Sequence, residues 1–194
     1  MNNKLTSKDL INIGIFTAII YALSLVVAFV GITPLSSLFA GPLYALLAAP
    51  IYMLYIAKVH KPFAVIITGL FCSVMCLVSF TSVLMALLSL VVFVASELIA
   101  KSGKYLSYKL NTISYLVFTL WTLVINGGYW YLQDFMVEFS LSSGMDQTWL
   151  DQMVEIATPL NLVLVIVGTL LCAFIGSLYA KVMLKKHFNK AGII

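Results

Sequence analysis

Arginine is missing altogether from this chain of 194 residues, and the whole basic complement of eleven is lysine. Charge of either sign is scarce. Asp, Glu, Lys and Arg together make 9% of the sequence, where a soluble domain carries about 25%. That scarcity excludes a soluble globular domain. The net charge of +4 is therefore read as a matter of membrane topology and not of nucleic-acid binding. Histidine occurs only at His60 and His187, each beside lysines, so no HExxH metal pair exists. A glycine-rich phosphate loop and a GxSxG elbow are also missing. No enzyme is expected. The three cysteines cannot make an even disulfide framework. Cys72 and Cys76 lie four apart on one helix face with no histidine or carboxylate nearby, so they are read as small buried hydrophobes and no metal site is expected.

What the chain has instead is apolar length: 62% of its residues are hydrophobic. Six stretches, at about 11–31, 38–57, 62–79, 82–100, 112–133 and 160–182, read as membrane-spanning helices, each about twenty residues long. The first is too long for a removable signal peptide and lacks a small-residue cleavage site. Pro34 reads as a breaker before the second helix, Pro42 falls in its first turns and Pro50 is expected to kink it. Thr81 and Ser82 read as a tight turn. In this six-helix arrangement every lysine falls on one side, which the positive-inside rule assigns to the cytoplasm together with both termini. The long polar segment from Asp134 to Pro159 carries five acids and no lysine. Within it Trp149, Leu150, Met153, Val154 and Ala157 share one helical face. The segment is therefore a short amphipathic helix in the outer loop, or else a disordered acidic loop. The expected fold is a single membrane domain over 1–194: an all-α membrane protein with six transmembrane helices, in the cell membrane.

Gly14, Ala18 and Ala22 recur every four residues in the first helix and stack on one nearly bare face. Apolar contact alone does not drive helices together in lipid, but close backbone approach does. The face serves either to dock another polypeptide or to pack within the protein's own bundle. Glu97 is the one acid inside an apolar helix and can snorkel, or pair with Lys101 one turn on. Toward the outer end of the fifth helix come Asn126, Gly127, Gly128, Tyr129 and Trp130, and Asn161 lies one turn inside the sixth. A buried amide needs a partner. An amide with aromatics at matched depth suits a pocket for a small ligand. Alternatively Asn126 bonds a neighbouring helix and the aromatics form an interfacial belt.

Taken together, the opening from Lys8 to Tyr21, the region from Gly41-Pro-Leu-Tyr44 to Lys58-Val-His-Lys61, and the basic end from Lys185 to Gly192 resemble the substrate-binding S components of energy-coupling factor (ECF) transporters. They resemble most closely the Trep_Strep group. The resemblance spans essentially the whole chain and implies a function. Such a subunit captures a vitamin or other micronutrient outside, has no ATPase activity, and binds no cofactor of its own. It docks through its first helix on a transmembrane coupling subunit that carries two ATP-binding cassette subunits, which use the ATP. Carried over, Ala18 and Ala22 match the docking motif and Gly14 extends it. The ligand-binding set becomes Asn126, Tyr129, Trp130 and Asn161, with Ser36 and Ser37 from the first loop. A self-sufficient small transporter or channel, and a scaffold subunit without ligand, are the competing readings.

Overall fold

A computed structural model describes residues 5–78 and 82–185. The expected turn residue Thr81, and Lys4, Lys186, His187 and Lys190 among the expected cytoplasmic charges, lie outside the described residues. Every regular element among the described residues is helical. The first, α1 (Ser7–Ala28), opens on a capping box. The Thr6 hydroxyl accepts the Asp9 N–H, and the Asp9 carboxylate accepts the Thr6 N–H at 3.0 Å. It runs into a 3-10 turn over Phe29–Ile32 in which Gly31 leaves helical geometry.

A second capping box, Thr33 with Ser36, starts α2 (Pro34–Val59). Pro34 is thus the first residue of the helix and not its breaker. A proline there gives up only an N–H that has no intrahelical partner anyway. Then follow α3 (Ala64–Val78), α4 (Val83–Ser102) and α5 (Tyr108–Asn126). The helix expected over 112–133 is divided: α5 stops at Asn126 and α6 (Gly128–Tyr131) follows separately, while α7 (Gln133–Ser142) is a further helix within the segment expected as the polar outer loop. The division falls on the Gly127–Gly128 pair. A Cβ on Gly128 would lie 2.6 Å from Cγ of Met136, so the Met136 side chain of α7 packs directly on the bare Gly128 backbone. Next comes α8 (Gln147–Ile156), the short amphipathic helix, whose Asp146 side chain accepts the Trp149 N–H. The last is α9 (Pro159–Met183).

Among the described residues, five segments are long and apolar enough to cross a bilayer: Ser7–Ile32, Pro34–Val59, Val83–Ser102, Tyr108–Asn126 and Pro159–Met183. The apolar α3 has 15 residues, a length of about 22 Å against a hydrocarbon core of about 30 Å. Exposed Ile11, Val26, Val91, Leu98, Leu171 and Ile175 clothe the outside, as a lipid-facing bundle requires.

Aromatic rings fill the centre. Tyr52 of α2 lies 4.7 Å from Phe118 of α5 between ring centroids, and Phe93 of α4 lies 5.8 Å from Trp121. Their hydroxyls are paired: Tyr52 with Ser96 and Ser114, Tyr55 with the Ala64 carbonyl, Tyr115 with the Ala45 carbonyl. Without water to turn to, an unpaired phenol here costs several kcal/mol at order of magnitude.

Helices α2 and α9 make a close and extensive contact. Ala45 and Ala49 on one side meet Ala173, Gly176 and Ala180 on the other, all buried. A Cβ on Gly176 would stand 2.7 Å from the Leu46 carbonyl oxygen and 2.8 Å from Cβ of Ala49. This is a small-residue seam of the kind that holds membrane helices together.

Three polar contacts tie one end of the bundle. Lys61 lies 3.7 Å from Asp9, and Lys181 stands over the Tyr108 ring at 4.7 Å. The buried Glu97 carboxylate accepts the Phe63 and Val65 N–H groups, each at 2.9 Å, and the Tyr105 hydroxyl. Glu97 therefore neither snorkels nor pairs with Lys101. It satisfies the amides at the start of α3 and holds α3 to α4.

Candidate functional site

At the opposite end of the bundle α1, α2, α5 and the α6–α8 segment line an open cavity of about 380 Å³. Tyr44 and Trp121 extend the aromatic core into it, with ring centroids 5.8 Å apart, edge to face. Tyr21 and Ser24 come from α1, Thr122 and Asn126 from α5. The segment α6–α8 supplies Tyr129, Met136, Ser140, Trp149 and Met153.

Side-chain bonds hold that segment over the bundle end. The Trp149 indole N–H donates to the Ile32 carbonyl at 3.0 Å, so α8 is pinned to the turn after α1. The Trp130 indole N–H donates to the Thr158 carbonyl at 2.9 Å, tying α6 to the start of α9. Tyr129 and Ser140 share a hydrogen bond of 2.8 Å. Burial pushes the Tyr129 phenol above its ordinary range, so it stays protonated.

The structure gathers some of the expected ligand residues and separates others. Asn126, Tyr129 and Ser37 line the cavity together. Trp130 lines a small adjoining pocket of about 30 Å³, next to Ser37 and Asn126. Asn161 lines neither; its amide N–H donates to the Ile156 carbonyl at 2.8 Å and fixes the α8–α9 turn. Ser36 completes the Thr33 capping box in the first turn of α2 and also lines neither. Tyr44, Trp121, Thr122, Tyr21 and Ser24 line the cavity without having been expected there. In the sequence they are ordinary residues of apolar helices. Only the packing shows that the aromatic core opens at Tyr44 and Trp121.

The face of Gly14, Ala18 and Ala22 is exposed along its length. A Cβ on Gly14 would find nothing within 4 Å. Among the described residues no part of the chain covers this strip, while Ile13, Phe16, Thr17 and Ile20 on the other side of α1 are buried.

A family model described as hypothetical bacterial integral membrane protein, Trep_Strep, matches residues 7–190. The chain belongs to the Trep_Strep family. The match takes in the α1 strip, the cavity and the capping helices alike. No curated protein and no solved structure matches this Trep_Strep chain. As a family member it is an integral membrane protein of bacteria, and its apolar helices supply the spans. Its charge is sorted along the bundle. Lys61 and Lys181 gather at the Glu97 end. Asp134, Glu138, Asp146, Asp151 and Glu155 lie exposed on the segment that caps the cavity.

Proposed function

We propose that this protein is the substrate-binding S component of an ECF-type importer, capturing a small vitamin-like micronutrient in the cavity. The observation that carries this reading is the bare strip of α1. A helix face of Gly and Ala exposed to lipid contributes little by itself, yet it allows another helix to approach closely. The bundle already uses one small-residue seam internally, between α2 and α9, and leaves the second uncovered. In this reading Gly14, Ala18 and Ala22 dock on a transmembrane coupling subunit. Two ATP-binding cassette subunits supply the energy, and this chain catalyses no reaction. The lysine end faces the cytoplasm with both termini, the cavity faces outward, and α3 with the residues flanking it makes the sixth crossing.

Photo-crosslinkers placed at Ala18 and Ala22 in native membranes should capture the coupling subunit. Ala18→Trp should abolish its co-purification without lowering the melting temperature of the isolated protein. Crosslinkers that capture no second polypeptide would overturn the reading. Transport by the purified protein alone in liposomes would replace it with a self-sufficient transporter.

A further inference from the structure

The cavity's lining also specifies what kind of molecule fits it, if it is the ligand site of the preceding reading. None of its lining residues among those described is charged. A carboxylate or phosphate seated against that lining would have no cation to meet, and an ammonium no carboxylate; either would give up part of its hydration without a compensating charge. The exposed acids on the capping segment further disfavour approach by anions.

The polar groups have a definite polarity. The Ser24, Ser37 and Thr122 hydroxyls each donate to a carbonyl of their own helix, those of Tyr21, Pro34 and Thr119, at 2.6–2.8 Å. Their protons are engaged, so toward the cavity they can only accept. Asn126 donates one amide N–H to the Thr122 carbonyl at 2.8 Å, which orients the amide and leaves its oxygen as an acceptor and its second N–H as a donor. Tyr44 supplies a further donor. Its oxygen receives the Trp121 indole N–H at 3.4 Å, and its own proton has no protein acceptor among the described residues.

We propose that the cavity selects an uncharged ring compound carrying both a hydrogen-bond donor and a carbonyl-type acceptor, as in a carboxamide or lactam. It rejects carboxylates, phosphates and ammonium cations. The rings stack among Tyr44, Trp121, Tyr129 and Trp149. The ligand's donor meets the hydroxyl oxygens, and its carbonyl meets the Tyr44 hydroxyl and the second Asn126 N–H.

Three probes on one bicyclic ring test this by isothermal titration of the purified protein: indole-3-acetamide, indole-3-acetate and tryptamine. The acetamide should bind at least about tenfold more tightly than either charged probe. Asn126→Asp, of nearly identical shape, should reverse the order in favour of tryptamine by about tenfold. Its melting temperature reports whether it folds. Binding of acetate or tryptamine as tight as that of the acetamide overturns the proposal, as does the absence of binding by all three. The result is separable from the importer reading. Capture of a coupling subunit at Ala18 with no probe bound defeats the ligand class alone, whereas probe binding without capture defeats the importer alone.

Discussion

The same substitution, glycine to alanine, should have opposite consequences at two positions of this protein. At Gly176 the new Cβ would lie 2.7 Å from the Leu46 carbonyl oxygen and 2.8 Å from Cβ of Ala49. Neither neighbour is the free end of a flexible side chain, so the backbones of α2 and α9 must separate by several tenths of an ångström. Overpacking of this kind costs about 1–3 kcal/mol. It also loosens the extensive contact between these two helices. At Gly14 the new Cβ meets nothing within 4 Å. The only intrinsic effect there is helix propensity, which favours alanine by up to about 1 kcal/mol.

The assay is thermal unfolding of the two purified variants in one detergent, followed by near-UV circular dichroism. Gly176→Ala should melt several degrees below the parent, and Gly14→Ala at or slightly above it. The larger Gly14→Leu should also leave the melting temperature nearly unchanged, while reducing recovery of a coupling subunit from membranes. If Gly14→Ala destabilises as much as Gly176→Ala, the α1 strip is packed inside the protein. The argument for an external partner then has no surface to rest on.

Other expectations concern the two ends of the bundle. Removing the carboxylate with Glu97→Ala leaves the Phe63 and Val65 amides and the Tyr105 hydroxyl without their acceptor. At about 1–3 kcal/mol for each stranded donor, unfolding should be among the most damaged of any single variant, with Glu97→Gln intermediate because it keeps one acceptor oxygen. Deletion of the Trp149 indole N–H by Trp149→Phe removes the bond to Ile32. A loss of about 1 kcal/mol should raise amide exchange in α8 about fivefold and leave exchange in α5 unchanged; equal exchange in α8 would show that the bond does not hold the segment down. The Ala18→Trp and cavity-probe experiments complete the set.

Much of the architecture was legible because lipid imposes strong rules on composition. A chain with so few charges has to be helical where it crosses the bilayer, since each backbone amide must bond within its own segment. The amphipathic face from Trp149 to Ala157 was readable as α8 for a similar reason: its period alone carries the information. Pro34 misled because a proline in a short linker and a proline at the first helical position look alike until the Thr33–Ser36 capping box is seen. The division of the fifth stretch was harder to read. Gly127 and Gly128 announced a weak point, but the break depends on Met136 coming back against Gly128. That is a contact between residues whose approach no local pattern states.

Residue order by itself therefore determined the membrane location, the apolar helices and the presence of a bare strip on α1, because these follow from hydropathy and helical period. Tertiary structure alone decided which bare strip is used internally, since the α2–α9 seam is covered and the α1 strip is not. It alone decided that Asn126, Tyr129 and Ser37 share a wall with Tyr44 and Trp121 while Asn161 and Ser36 stay outside. The physical reason is common to both. Coverage and enclosure depend on where distant helices come to rest, and a periodic pattern specifies a helix's faces without specifying what lies against them.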